Sequence, residues 1–368
     1  MMTTVQKLSL PPNRRIVAVS DIHGHPNLLR ALLQKIGLCK QDILFIVGDI
    51  IEKGPDSLGA LRLVMDLCRT HTVYPLMGNV DLWQLSWLQS DDEETAGYLR
   101  GRIAETARLY GSCLFSQMCA EAGLSTASVE DVQAARRIVR KIFAPEITFL
   151  QSLPTIVSTD HALFVHGGIP TEDVDSLSGT EAHPYLKNDN FMQKGLCFDR
   201  WLVVGHWPAT LYSERYPCFN PYISERQRII SIDGGCGIKY DGQLNALLFA
   251  DASCREISFA ACDELPLGVA LDAQPESTDS FYLRYTDCAV RVLSREGDCV
   301  LVEHITTGRR LWAPESFLYD DDRRCADLTD YRLPVQPGDH LSLAKRTTRG
   351  YIVKKDGIAG WYTGRIKA

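Results

Sequence analysis

The chain has twelve cysteines but no Cys-x-x-Cys pair. A structural zinc site built on paired thiolates is therefore not expected. Cys39, Cys68, Cys288 and Cys299 sit inside apolar stretches, so the thiols read as reduced core residues rather than as a disulfide framework. No apolar run approaches the roughly 20 residues that cross a bilayer. Residues 1–15 contain no apolar signal-peptide segment. No membrane association is expected, and a cytoplasmic location is the default. A long basic run is also missing, and the net charge is −7. General nucleic-acid binding is not expected on that balance, although a local basic pocket is compatible with it.

The sequence does have length and an ordinary apolar content: 368 residues, 45% of them hydrophobic. That is enough for two or three domains with a sizeable core. It also has six short stretches rich in metal-ligand residues: Asp21-Ile22-His23-Gly24, Gly48-Asp49, Gly78-Asn79, His166-Gly167-Gly168, Gly205-His206 and Asp233-Gly234-Gly235. Most follow an apolar run that reads as a buried strand.

Residues 15–20 read as a strand, and Pro26 opens a helix with Leu28, Leu29, Leu32, Leu33 and Ile36 on one face. The run from Ile43 to Val47 is a strand covered on both faces. A helix from about 56 to 69 follows, then a strand over 72–77. The opening is β-α-β-α-β with a polar motif at the carboxyl end of each strand, where open α/β sheets bind ligands. Residues 82–150 break this rhythm as a helical insertion, with Asp91 to Glu94 as a helix start. Strands are expected again before His166, His206 and Asp233, and over 246–250 and 257–260.

Composition shifts at 263–280, where a linker is expected. The catalytic part is placed at 14–262. Residues 281–368 read as β-rich, with a barrel-like portion at about 334–368. The fold class expected is α/β with an all-β carboxyl-terminal region.

Carboxylates and imidazoles together suit Mn²⁺, Fe or Zn²⁺ better than Ca²⁺. Two such ions about 3.5–4 Å apart can polarise a phosphoryl group and activate water, and a carboxylate able to bridge them is a natural component. Asp49 is the candidate. One Asp-x-His or Gly-Asp alone is usually a turn or a cap. The recurrence after successive strands makes that reading improbable.

The ordered set Asp-x-His-Gly, Gly-Asp-x-x-x-x-Gly, Gly-Asn, His-Gly-Gly, Gly-His and Asp-Gly-Gly resembles the calcineurin-like metallophosphoesterases. It is most similar to the phosphoprotein phosphatase branch, which includes bacterial serine/threonine phosphatases and diadenosine tetraphosphatases. The resemblance covers about residues 15–260. It implies a β-sandwich flanked by helices, two divalent ions with Mn²⁺ first, and a metal-bridging hydroxide attacking phosphorus. By position, Asp21 and His23 would hold one ion, Asp49 both, and Asn79, His166 and His206 the other. The loop at Asp233 would lie beside the site without ligating, and Pro208 stands where some relatives place a further histidine.

Three positions depart from the family's pattern. Val80 stands where the usual leaving-group acid, a histidine, is expected. Glu52 replaces the aspartate that orients it, and Lys53 replaces the phosphate-binding arginine. A poor leaving group suffers most from a missing acid. The function expected is hydrolysis of phosphomonoesters, on a phosphoprotein or an aryl phosphate. The alternatives are a nucleotide polyphosphate hydrolase of the diadenosine tetraphosphatase type and an impaired, metal-binding recognition module. Glu52 and His25 are candidates for the acid machinery. Lys53, Asn79 and Arg200 are candidates for phosphate contacts. His71 and His161, at strand starts, read as structural. The carboxyl-terminal segment resembles small Src-homology-3 barrels. There Tyr351, Trp361 and Tyr362 either dock a Pro-rich or extended peptide or fill the barrel's core.

Overall fold

The computed structural model describes residues 1–367. The chain divides into two compact units. The first comprises Met1–Pro208, Pro221–Ile238 and Leu244–Cys262, and the second comprises Ala209–Asn220, Lys239–Gln243 and the described residues beyond Cys262.

In the first unit, β2 (Ile16–Val19), β3 (Ile43–Val47) and β4 (Thr72–Leu76) pair in parallel. Helices α1 (Pro26–Lys35) and α2 (Ser57–Thr70) make the crossovers. Every residue of β3 is buried, as expected for a strand covered on both faces. The outer strands β10 (Leu244–Phe249) and β11 (Ile257–Cys262) join antiparallel, giving the order β11-β10-β2-β3-β4. A second, six-stranded sheet contains β1 (Val5–Lys7), β5 (Ile156–Ser158), β6 (Ala162–Val165), β7 (Trp201–Val204), β8 (Tyr222–Ser224) and β9 (Ile229–Ser231). Its order is β1-β5-β6-β7-β9-β8.

The two sheets pack face to face. Ile16, Ala18, Ile43, Phe45 and Val47 from one meet Val157, Phe164, Val203 and Ile230 from the other. The rings of Phe45 and Phe164 stack with centroids 3.9 Å apart. The opposite side chains of the first sheet, Val17, Val19, Leu44 and Ile46, share a core with α1, α2 and the inserted helices. Period-two alternation thus splits β2 and β3 between two cores.

The insertion is five helices: α3 (Asn79–Gln89), α4 (Glu93–Tyr110), α5 (Leu114–Glu121), α6 (Val129–Ile142) and α7 (Ala144–Ser152). Helix α3 starts three residues earlier than the composition suggested, so Asn79 lies in its first turn. Asp92 caps α4 through the amide of Thr95, with Glu93 and Glu94 in the first turn, as the acidic run predicts. Among the described residues no helix is long and apolar enough to cross a membrane. All twelve cysteines are free; Cys39 and Cys197 are exposed, so Cys39 is not a core thiol.

The second unit is all β. Leu267–Ala270, His340–Thr347, Gly350–Lys355, Ile358–Tyr362 and Ile366–Lys367 form one sheet. Val290–Glu296, Cys299–His304 and Arg310–Pro314 form another. The stretch 263–280, expected as a linker, therefore contributes a strand, which pairs antiparallel with His340–Thr347. Its Leu-Gly-Val-Ala sequence is short enough to be hidden by the flanking prolines. Tyr362 is fully buried and its hydroxyl donates to the carbonyl of Asp272 at 2.7 Å. Trp361 is 8% exposed and its indole N–H donates to the carbonyl of Thr329 at 2.8 Å. These two rings fill the unit's core and do not form an exposed docking face.

Candidate metal centre

Each motif lies just past a strand end in the first unit, where the chain must reverse to enter a helix or loop. The reversals use left-handed backbone at non-glycine residues: φ is 54° at Asp21, 47° at His23, 51° at Asp49 and 68° at His206. Such conformations cost on the order of 1–3 kcal/mol each and cluster at functional sites. Gly78 is required by close approach, since a Cβ there would lie 2.1 Å from the Asp49 amide nitrogen.

The turns bring six side chains together. Asp21, His23 and Asp49 are all buried, and one ligand atom from each lies within 4.8 Å of the others. His23 Nε2 is 3.7 Å from Asp21 Oδ1 and 3.7 Å from Asp49 Oδ2. The other oxygen of Asp49, Oδ1, is 3.3 Å from His166 Nε2. Asn79 Oδ1 lies 3.1 Å from His166 Nε2 and 2.9 Å from His206 Nδ1. One carboxylate therefore faces two groups of donors, one oxygen to each.

The surrounding bonds orient these groups. Ser20 Oγ donates to Asp21 Oδ2 at 2.6 Å, and the His206 amide donates to the same oxygen at 3.1 Å. His166 Nδ1 lies 2.8 Å from the carbonyl of Val47, which leaves Nε2 facing the centre. The Val80 amide donates to Asp49 Oδ1 at 3.0 Å.

Burial and charge set the protonation. Burial would raise the Asp49 carboxyl, but the imidazoles of His166 and His23 hold it far below the usual carboxylate range. Burial opposes charge on His166, yet the carboxylates of Asp49 and Asp21 push it up to about 10. Burial pushes Asp21 up to about 6. Burial, then the charge on His166, brings His206 down to about 4. His23 is lowered by burial and by the Lys53 ammonium.

This donor set fits divalent cations. Asp21 Oδ1 is buried and has no hydrogen-bond partner. Buried carboxylate oxygens are normally satisfied, so an unpaired one at the centre of a converging oxygen and nitrogen set is where a cation would compensate. Carboxylate, amide and imidazole together suit Mn²⁺, Fe or Zn²⁺.

A model of the calcineurin-like phosphoesterases matches residues 14–233, which span Asp21, His23, Asp49, Asn79, His166 and His206. The chain belongs to that family. It is thus a metallophosphoesterase, a hydrolase of phosphoester bonds, and its family uses divalent metal ions. Serine/threonine-protein phosphatase 2 of Escherichia coli (strain K12) is 43% identical over 63 residues, covering 17% of this chain and 29% of that protein. A symmetrical bis(5'-nucleosyl)-tetraphosphatase of Legionella pneumophila (strain Philadelphia 1) is 25% identical over 277 residues, covering 64% of this chain and 93% of the relative. Among solved structures, a serine/threonine phosphatase from Saccharomyces cerevisiae is 13% identical and aligns with 72% of this chain and 86% of its own, at a TM-score of 0.43.

Not every expected residue lies at the metallophosphoesterase centre. Lys53 does: its Nζ is 3.5 Å from His23 Nε2. His25 caps α1, with Nδ1 3.2 Å from the Ile22 carbonyl, and its ring borders Gly54 and Gly237. Glu52 turns away into the insertion. Its Oε1 accepts from the Leu114 amide at the start of α5 at 2.7 Å, and Gln84 also bonds it. Burial pushes Glu52 up to about 7. Arg200 is a correction. It precedes β7, at the end opposite His206. Its Nε is 3.1 Å from Glu172 Oε2, and its guanidinium also donates to the Thr159 carbonyl. The start of a strand cannot deliver a side chain to a site built at strand ends.

Two contributors, Asp81 and Asp189, carry no mark in the sequence motifs. Asp81 is fully buried and accepts from the amides of Gly78 and Ile50, both at 3.0 Å, so it ties the third motif to the second. Its position at N3 of a helix starting on the motif is the signal that would have found it. Asp189 Oδ1 lies 2.7 Å from His206 Nε2, and no local pattern marks it. Asp233, expected beside the site, is buried with Oδ2 unpartnered, and burial with the nearby Asp21 charge raises it well above the carboxylate range.

Proposed function

We infer that the chain is a two-metal phosphomonoesterase acting on good leaving groups, an aryl phosphate or a phosphoprotein bearing one. The observation that carries this reading is the Asp49 carboxylate, buried with Oδ2 toward His23 and Oδ1 toward His166. Asp21, His23 and Asp49 would hold one ion, and Asp49, Asn79, His166 and His206 the other, with Mn²⁺ the first choice. When bound, two such ions acidify a water and polarise the phosphoryl oxygen.

The protein's own residues account for the rest. Asp49 is held ionised, so it is ready to ligate without first losing a proton. His166 must give up its proton on ligation, so metal affinity rises with pH. Lys53 places a cation beside the centre, where it would face a phosphoryl oxygen, though as a point charge and not a bidentate fork. Val80 cannot donate a proton, and Glu52 is engaged at α5. His25 is the remaining candidate donor in this loop.

Turnover of para-nitrophenyl phosphate with Mn²⁺, compared with an Asp49→Asn variant, tests the metal assignment. Asp49→Asn is expected to lose metal-dependent turnover, and full retention would reject the bridging role. An aryl phosphate should outrun an alkyl one by about 10²-fold or more, the usual contribution of general acid catalysis. Equal rates with chemistry limiting would reject the leaving-group argument. A second substrate class is favoured by one observation. The tetraphosphatase relative aligns over 93% of its length, whereas the Escherichia coli phosphatase aligns over 29% of its own. Hydrolysis of a dinucleotide polyphosphate breaks a P–O–P bond and expels a nucleotide through its phosphate oxygen, which needs little protonation, so these compounds belong in the same assay.

A further inference from the structure

We propose that a recess in the second unit, walled by Trp312 and the guanidinium groups of Arg310, Arg332 and Arg349, binds an extended peptide segment with acidic side chains. The recess is about 240 Å³. That is below the roughly 300–1,000 Å³ of small-molecule pockets and matches one or two side chains.

Three features of the unit define the occupant. The first is an open strand edge. Arg310–Pro314 pairs with Cys299–His304 on one side and is the last strand of its three-stranded sheet. Among the described residues no strand pairs with its other edge. An unpaired edge offers a row of backbone donors and acceptors, which an extended peptide can satisfy.

The second is charge. Arg310 Nε is 3.1 Å from Glu303 Oε2, and Arg349 Nη1 is 3.3 Å from Glu296 Oε2. Arg332 is exposed, and its guanidinium makes no hydrogen bond or ion pair among the described residues. Asp330 is the acid of the recess, but its oxygens already accept from Arg309 Nε at 3.1 Å and from the Phe281 amide at 2.7 Å. One cation is thus unmatched beside two others. A fixed guanidinium fork fits a carboxylate or phosphorylated side chain in bidentate fashion.

The third is the state of the aromatics. The Arg349 guanidinium lies 4.0 Å from the Trp312 ring centroid, and Trp361 is buried. Single-stranded nucleic acid needs exposed aromatic faces on which bases stack. Here one such face is covered and the other ring is within the core. A peptide needs only the edge, the cations and the rim of Trp312.

The test is fluorescence anisotropy on the full chain with a labelled nonapeptide of alternating Glu and Val. Controls are its Lys-Val counterpart, a single-stranded oligonucleotide and inorganic phosphate as competitor. Saturable binding of the acidic peptide alone, weakened by salt, is expected. Arg332→Glu should weaken it about tenfold or more, the size of a lost charge-assisted hydrogen bond. The melting temperature of that variant should match the parent, because the residue is exposed. No saturable binding, equal binding of acidic and basic peptides, or an unaffected Arg332→Glu would overturn the proposal. So would tighter binding of the oligonucleotide, or complete competition by millimolar phosphate, which would leave an anion hole only. Every arm reads binding, not turnover, so the result is independent of the phosphomonoesterase reading.

Discussion

Glu52 shows how one residue's role depends on where its carboxylate reaches. The motif places it directly before Lys53, and the backbone is left-handed at both, with φ of 66° and 58°. Its amide is fixed by Ser57 Oγ at 2.8 Å and its carboxylate accepts from the Leu114 amide at the start of α5 at 2.7 Å, so the carboxylate is engaged by the insertion. Burial raises its pKa from 4.5 to about 7. The folded state therefore binds more protons than the unfolded one between about pH 4.5 and 7, and stability from this group is lost as pH rises through that window. Glu52→Gln keeps an acceptor for Leu114 and removes the charge. It is expected to stabilise the protein by about 3 kcal/mol at pH 8 and by well under about 1 kcal/mol at pH 4.5. Its turnover should stay near the parent's, while Glu52→Ala, which frees the loop, should raise KM. Urea unfolding at the two pH values and steady-state kinetics check both parts. A Glu52→Gln enzyme as slow as Glu52→Ala would make the carboxyl itself part of the chemistry.

At the scale of elements, the position of a residue along its strand decided which expectations held. The six motif residues Asp21, His23, Asp49, Asn79, His166 and His206 were legible as a group because each follows the end of a strand, and β2, β3 and β4 run parallel in one sheet as β6 and β7 do in the other. Arg200 failed for the same reason, lying at a strand start and already paired with Glu172. Asp189 was not legible as a partner, because a hydrogen bond across 17 residues leaves no periodic trace, and the N3 position of Asp81 marks it as a cap without revealing its bond to the Ile50 amide. The turn between β4 and α3 makes a sharp test. A Cβ at Gly78 would meet the Asp49 amide at 2.1 Å and Asp49 Oδ1 at 2.2 Å. These are the backbone and ligand atoms of a fixed turn, not a mobile side-chain tip. Gly78→Ala should therefore displace Asp49 and lower the metal content of the purified protein, with a stability loss of about 1–3 kcal/mol. Two metals per chain with unchanged stability would show that the turn can shift without moving Asp49.

At the scale of the whole chain, composition predicts one boundary near residue 262, but the second unit also includes two earlier segments. Residues 209–220 and 239–243 directly follow the motifs at His206 and Asp233. Their composition is no different from their neighbours', so only the three-dimensional pairing reveals where they belong. Within the second unit, Arg284 donates to the Leu211 carbonyl at 3.1 Å, the Phe219 amide donates to the Gly357 carbonyl at 2.8 Å, and Lys239 pairs with Asp327 at 2.6 Å. Leu211 and Phe219 are buried there. A chain cut after Cys262 keeps both segments but loses their partners Arg284, Asp327 and Gly357. Burying each such side chain is worth about 1.5–3 kcal/mol, so the two together approach a sizeable part of the 5–15 kcal/mol that typically holds a domain folded. His206 lies only three residues before the first segment in the chain. Residues 1–262 are expected to aggregate or to purify with less than the full metal content, by light scattering and elemental analysis. A monodisperse, fully metallated 1–262 would show that the metal centre needs nothing from these two segments' packing.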